Sequence, residues 1–246
     1  MDLNIIEKAY YEKQRERINK LFARLLEQGD PTSPGRVVPD VAELVINEGR
    51  VVDAAVLFLD ISGFSKRPSG DAKQQAILLQ IITLYFTEMI RVIMDYGGTV
   101  EKNTGDGLMA YFTSDADGDA RMKAVAAALS IFKAATDFID PLVISQSGEP
   151  FKFRICIDHG PITIAKVGAP RLFNGIVAIG ASANIASKML AVAQGGELVI
   201  GQDVALGLRT DWVQQFVSVK AEESGWVRGT GVNYPFYLFI GRWLTP

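Results

Sequence analysis

The sequence predicts an α+β fold, a βαββαβ-like core in which a largely antiparallel sheet carries helices on one face. Three observations predict it. Runs with apolar residues at the helical period occupy residues 71–95, 118–139 and 182–193. Short apolar runs of strand length lie between and after them. Glycine pairs, Gly97-Gly98 and Gly195-Gly196, stop two of the helices.

Taken in order, residues 5–28 read as a helix with Ile18, Leu21, Phe22, Leu25 and Leu26 on one stripe, Lys13, Arg15, Arg17 and Lys20 lying around it. Such a helix packs on its own domain or on a partner chain. Residues 29–35, Gly-Asp-Pro-Thr-Ser-Pro-Gly, read as a linker. The expected division is therefore an N-terminal helix and linker, 1–45, and a main domain, 46–246. Residues 54–60 are a short apolar run ending in a carboxylate, a central strand. The helix over 71–95 buries Ile77, Leu78, Ile81, Ile82, Tyr85, Met89 and Ile93. Strands at 99–103 and 108–112 form a hairpin closed by Thr104-Gly105-Asp106-Gly107. After the alanine-rich helix, 151–157 is strand-like, and Gly160-Pro161 predicts a turn into a second strand at 162–167. Beyond the third helix, strands are expected at 197–200, 212–219, 226–228 and 235–240. This order is ferredoxin-like.

Composition narrows the function. Hydrophobic residues make up 48% of 246 positions, enough for a large core, and no run reaches the roughly 20 residues a bilayer span needs. A net charge of −3 supplies no field for nucleic acid or anionic lipid. Neither nucleic-acid nor membrane partners are expected, and a cytoplasmic location is. The one cysteine, Cys156, reads as a small buried hydrophobe, and the one histidine, His159, as a structural or surface residue.

The chemistry concentrates in two acids at strand ends. Asp60 closes Leu57-Phe58-Leu59-Asp60-Ile61-Ser62-Gly63-Phe64-Ser65, and Asp106 sits at the hairpin tip. If the strands are neighbours, the acids meet at one sheet edge, with no basic residue adjacent in sequence. Hard oxygen donors without His or Cys suit magnesium or manganese. Backbone N–H groups of Ser62, Gly63, Phe64 and Ser65 can hold phosphate oxygens. Taken alone, each acid also fits a plain strand end or turn. On the third helix Asn184 and Lys188 stand four apart on one face, an amide and a cation able to orient a ribose and stabilise a phosphate, or simply a solvated face.

Together these motifs resemble the catalytic domain of class III nucleotidyl cyclases over roughly residues 50–240. The Asp-Ile-x-Gly-Phe pattern is Asp60-Ile61-Ser62-Gly63-Phe64, the Gly-Asp is Gly105-Asp106, and the Asn-x-x-x-Arg is Asn184 with Lys188. The resemblance implies two divalent ions, Mg2+ or Mn2+, on Asp60, Asp106 and the Ile61 carbonyl. It implies Asn184 on the ribose, Lys188 in place of the transition-state arginine, and Arg228 on the outer phosphates. It also implies a head-to-tail homodimer whose sites join Asp60 and Asp106 of one chain to Asn184 and Lys188 of the other.

Two departures shape the expectation. The family's base-selecting positions fall, by counting from Gly105 and Asn184, on Val100 and Val177, which cannot pair with a purine edge. Lys188 lacks the bidentate fork of arginine. The altered pocket resembles the stand-alone pyrimidine cyclases of bacterial anti-phage signalling, which implies UTP or CTP as substrate and an antiviral second messenger. An adenylate or guanylate cyclase with an atypical pocket, and an inactive nucleotide sensor, are the alternatives. The Gly-Gly-[Asp/Glu]-Glu-Phe signature of diguanylate cyclases is absent.

Overall fold

A computed structural model describes residues 32–34, 45–46, 48–67, 70–103, 106–145, 148–169, 173–219 and 233–241. The helix expected at 5–28, the strand expected at 226–228, Gly105 and Arg228 lie outside the described residues.

The sheet is organised around β2, Gly49–Ile61. Val52, Ala54, Ala55, Val56, Leu57 and Leu59 are all buried, so both faces of this strand are covered. It pairs antiparallel with β4 (Gly107–Thr113) on one side and β5 (Phe153–Ala169) on the other. β3 (Gly98–Asn103) completes the hairpin with β4. β7 (Leu198–Gly201) runs parallel to β5, followed outward by β9 (Phe236–Phe239) and β8 (Phe216–Val219). Two strands lie off this path: β1 (Thr32–Pro34) parallel to β2, and β6 (Phe173–Ile179) antiparallel to β5.

Helix α1, Ala72–Asp95, begins where the Asp71 carboxylate accepts from the Gln74 N–H at 2.8 Å. It ends at Gly97, whose φ of 74° suits glycine at a helix C-terminus. Helix α2, Ala120–Ala134, is capped by Asp119 and buries Ala120, Ala124, Ala127 and Ala128, small residues that let it lie close on the sheet. A π turn, Ala135–Ile139, leads into α3, Asp140–Ser145. The Tyr85 hydroxyl ties these pieces together. It donates to Asp140 Oδ1 at 2.5 Å and accepts from the Phe151 N–H at 3.2 Å.

Helix α4, Ala181–Met189, corrects one expectation: it lies on the opposite face of the sheet from α1 and α2. The reason is the two-sided burial of β2 and β5. Leu57, Ile155 and Ile157 face α1 and α2, while Cys156 packs with Ile185, Ala186 and Met189 of α4.

Three further expectations change. The turn expected at Gly160-Pro161 is absent, because β2 pairs with β5 without a break from Gly49↔Ala165 to Ile61↔Phe153. Pro161 falls in the gap between the stretch of β5 paired with β7 and the stretch paired with β6, where its missing N–H is tolerated. The strand expected at 212–219 is a helical turn, α6 (Thr210–Val213), and then β8, so Trp212 and Val213 reach the core from a helix. Strand β6 and the one-turn helix α5, Gln202–Ala205, were not legible as elements.

Candidate active site at the carboxylate edge

Asp60 and Asp106 come together through strand pairing. Asp60 stands in register with Gly107, the residue after Asp106, and the Ile61 N–H donates to the Asp106 carbonyl at 2.9 Å. The two carboxylate-bearing residues therefore sit on neighbouring backbones at one end of the sheet. Residues directly opposite in an antiparallel pair have Cα atoms about 4.5–5.5 Å apart.

Asp60 is not without a cation. Register sets Arg154 of β5 directly opposite it, and the Arg154 Nε and Nη2 donate to Asp60 Oδ2 at 2.9 and 2.7 Å. The Nη1 group donates to the Ala193 carbonyl at 3.2 Å, just beyond α4. The expectation that no basic residue adjoins these acids in sequence holds, and the ion pair adds a cation from a neighbouring strand. The signal was available in the strand pattern, since a lone arginine inside the apolar run 151–157 asks for a carboxylate nearby.

The turn after Asp60 is built as a short 3-10 segment, Phe64–Lys66, entered through Gly63 with φ 69°. Phe64 packs against the core and lies 6.2 Å from the Phe151 ring, so its side chain anchors the turn. The Ser62 N–H is committed to the Lys152 carbonyl at 2.7 Å, which removes it from the anion-binding set expected. Gly63, Phe64 and Ser65 supply the first N–H groups of the segment, which a helix start leaves without intrahelical partners. The Ser62 hydroxyl is buried without a hydrogen-bond partner among the described residues. It lines a polar cavity of about 400 Å³ with Gly63, Lys66, Lys152 and Gln194. Arg67 is spent structurally, donating to the carbonyls of Glu149 and Pro150 at 2.8 and 2.7 Å and covering the Phe151 ring.

The donor set fits a hard divalent ion. Two carboxylate-bearing residues, Asp60 and Asp106, stand on adjacent backbones at this edge. No group of three or more His, Cys, Asp or Glu side chains suited to a metal occurs among the described residues. Magnesium commonly takes one or two carboxylates and completes its shell with water and substrate phosphates. Both Arg154 bonds fall on Oδ2, so Oδ1 of Asp60 takes neither of them.

Asn184 and Lys188 both lie on the exposed side of α4, whose buried Ser182, Ala183, Ile185, Ala186 and Met189 hold it to the sheet. They face away from the strands that carry the carboxylates.

The base-contact pair is divided. A β-bulge separates Val100 from Lys102, so Val100 pairs with Ala110 and Lys102 with Met109. Val100 packs into the core under α1 and α2, as Ala110 does. The bulge changes the parity of the strand beyond Val100. Met109 and Tyr111 do lie on the α4 face, with Tyr111 fully buried and its hydroxyl pushed up to about 12 by burial and then by the Glu101 charge. Val177 of β6 is half-buried opposite Ala165, and strand alternation turns it away from the cluster that Ile176 and Ala178 join.

Comparison with known proteins places this geometry. Residues 46–239 match the family described as adenylate and guanylate cyclase catalytic domain. An adenylate cyclase of Mycobacterium tuberculosis is 27% identical over 237 residues, 95% of this chain and 48% of that protein. The chain thus spans about half the length of the mycobacterial relatives it matches. A uridylate cyclase of Burkholderia cepacia is 29% identical over 161 residues, 63% of this chain and 68% of the relative. The crystal structure of the guanylyl cyclase Cya2 superposes with a TM-score of 0.62 at 20% identity, covering 78% of this chain and 92% of that one.

Proposed function

The chain belongs to the adenylate and guanylate cyclase catalytic domain family, and from that membership we propose that it closes a nucleoside triphosphate into the 3′,5′-cyclic monophosphate with release of pyrophosphate. The observation that carries the proposal is the meeting of Asp60 and Asp106 at one sheet edge, through the 2.9 Å bond from Ile61 to the Asp106 carbonyl.

Asp60, Asp106 and the Ile61 carbonyl would hold the divalent ions, Mg2+ or Mn2+. When bound, such ions acidify the ribose 3′-hydroxyl and neutralise charge on the α-phosphate and the leaving pyrophosphate. The chain's own groups do the positioning. The Gly63–Ser65 N–H groups and the Ser62 hydroxyl are the proposed contacts to phosphate oxygens. Arg154 lies beside Asp60, where it can turn from that carboxylate to a phosphate and share its charge. Asn184 and Lys188 point outward, so they serve a site completed by a second copy. We therefore propose a head-to-tail homodimer in which Asn184 of one chain orients the ribose held by the other and Lys188 stabilises the pentavalent phosphate. Arg228 is the proposed contact to the outer phosphates.

For the base we propose a pyrimidine, UTP before CTP. The support is the aliphatic Val177 and the likeness to uridylate cyclases. Adenine is the second reading, favoured by the bulge that sets Lys102, rather than Val100, in register with Met109. The wider role proposed is synthesis of a second messenger in bacterial antiviral defence. Phage plating on cells carrying the wild-type chain or Asp60→Ala tests that role.

Incubation with ATP, GTP, CTP and UTP separately, with manganese, and mass analysis of the products tests the reaction. A cyclic pyrimidine monophosphate supports the full reading. A cyclic purine retains the reaction and overturns the base, and no product from any of the four, with triphosphate still bound, leaves a nucleotide sensor.

A further inference from the structure

Resting on the cyclase reading above, we infer that the polar cavity beside the Asp60–Arg154 pair seats the condensed-phosphate end of the substrate, and the pyrophosphate it becomes, with Lys152 and Lys66 as the cations that hold it.

Alternation along two strands aligns the cavity with the acid. Leu59 and Ile61 of β2, and Phe153 and Ile155 of β5, enter the core under α1 and α2. Asp60 and Ser62 of one strand, and Arg154 and Lys152 of the other, therefore share the opposite face. The bond from the Ser62 N–H to the Lys152 carbonyl carries the ladder one step past its last register pair, Ile61↔Phe153. Lys152 stands two residues from Arg154, roughly 7 Å along the strand. A phosphate chain that begins at Asp60 has Lys152 next in line on this face.

The cavity is built from separate elements. Its volume is about 400 Å³, within the range of small-ligand sites. Lys66 comes from the turn after Asp60, Lys152 from just before β5, and Gln194 from the segment after α4. The lip is held in place, since the Gln194 N–H donates to the Glu197 carboxylate at 2.7 Å and the Ala193 carbonyl accepts from Arg154. Gly195 closes the wall with bare backbone. A Cβ there would lie 3.0 Å from both the Ser62 Oγ and the Lys152 Cβ, closer than an ordinary contact.

The charges of the lining leave a positive surplus. Arg67 and Glu149 pair with each other at 3.2 Å. Lys66 and Lys152 remain, and among the described residues neither carries an ion pair. Lysine meets phosphate as a point charge, and two of them suit an anion of two or more charges. They enter from different elements, so linked phosphates can meet both where a single small anion meets one. The buried Ser62 hydroxyl, without a hydrogen-bond partner among the described residues, supplies a donor that a phosphate oxygen satisfies.

Inorganic tripolyphosphate, which has no base and cannot cyclise, is the probe. It is titrated calorimetrically, with Mg2+ present, into the full chain, Lys152→Gln, Lys66→Gln and the double variant. Lys133→Gln, on α2 at the opposite face of the sheet, controls for net charge. Each single variant at the cavity is expected to bind about tenfold more weakly, the double variant more weakly still, and Lys133→Gln as the parent does. Unchanged affinity in the double variant, or no binding by the parent, overturns the inference. An equal loss in Lys133→Gln overturns it in favour of long-range charge. Orthophosphate competing at the same concentration as tripolyphosphate overturns it in favour of a general anion site. Loss confined to the cavity lysines sustains the phosphate seat even where no triphosphate yields a cyclic product, a result that removes the reaction and not the seat.

Discussion

The Arg154 guanidinium places two of its donors on one oxygen, Oδ2 of Asp60, at 2.7 and 2.9 Å. Both side chains are less than one-third exposed, at 29% and 22%, so the pair is only partly screened. A charge-assisted bond in such a setting contributes roughly 1.5–3 kcal/mol. The proposed cation binding at Asp60 would have to overcome it.

Arg154→Gln is therefore expected to bind Mn2+ about tenfold more tightly in the absence of nucleotide, tenfold being about 1.4 kcal/mol. Turnover should fall, because the guanidinium is lost to the phosphates. Calorimetric titration with Mn2+ alone checks the first effect. Unchanged affinity would show that Arg154 and the ion do not compete.

Asp106→Asn and Asp60→Asn should each lower cyclic product by at least about a hundredfold, as loss of one electrostatic stabiliser does in other enzymes. The melting temperature of Asp106→Asn should stay near that of the parent. Asp60→Asn should melt lower, since it leaves Arg154 without its carboxylate. Full turnover in either variant would remove that acid from the metal set.

Tyr85→Phe should destabilise the fold by about 1–3 kcal/mol, the cost of leaving buried polar partners unsatisfied. Its hydroxyl links Asp140 and the Phe151 N–H, and burial raises its pKa above the usual phenol range. Urea denaturation reads the change, and a loss of well under 0.5 kcal/mol would mean that water replaces the hydroxyl.

His159 gives a pH signature. Burial lowers its pKa below the usual value, and the Asp53 carboxylate, 3.4 Å from Nε2, opposes the shift only in part. The unfolded chain then binds the proton more readily than the folded one. The stability tied to this neutral imidazole is present above the unfolded pKa of about 6.5 and is lost as pH falls through and below it. His159→Gln should flatten the fall in melting temperature between pH 7 and 5. An unaltered slope would assign the fall to other groups.

Much of this molecule was legible from period and punctuation. The Gly97-Gly98 stop, the pairing of β3 with β4 and the alanine face of α2 each act locally, so their residues alone announce them. Long-range register was less legible. Nothing near Gly160-Pro161 says that thirteen residues of β2 will hold β5 straight, and nothing near Val100 announces the bulge that turns it into the core. The Asp60–Arg154 pair joins positions 94 residues apart, and only the strand order of the sheet brings them together. The adjacency of Asp60 and Asp106 was legible because strand ends at neighbouring sheet positions are a local prediction plus one topological step.

Arg154 also donates from Nη1 to the Ala193 carbonyl, just past the helix that displays Asn184 and Lys188. One guanidinium thus fastens both a proposed cation-binding acid and the segment after the helix that is proposed to face a second copy. If a ligand draws it from Asp60 and that segment loosens, two copies sharing their sites would not fill them independently. The first nucleotide to arrive would change the terms for the second. Unequal successive affinities in a calorimetric titration would be the mark of such communication, and identical ones would show that the two halves do not hear each other.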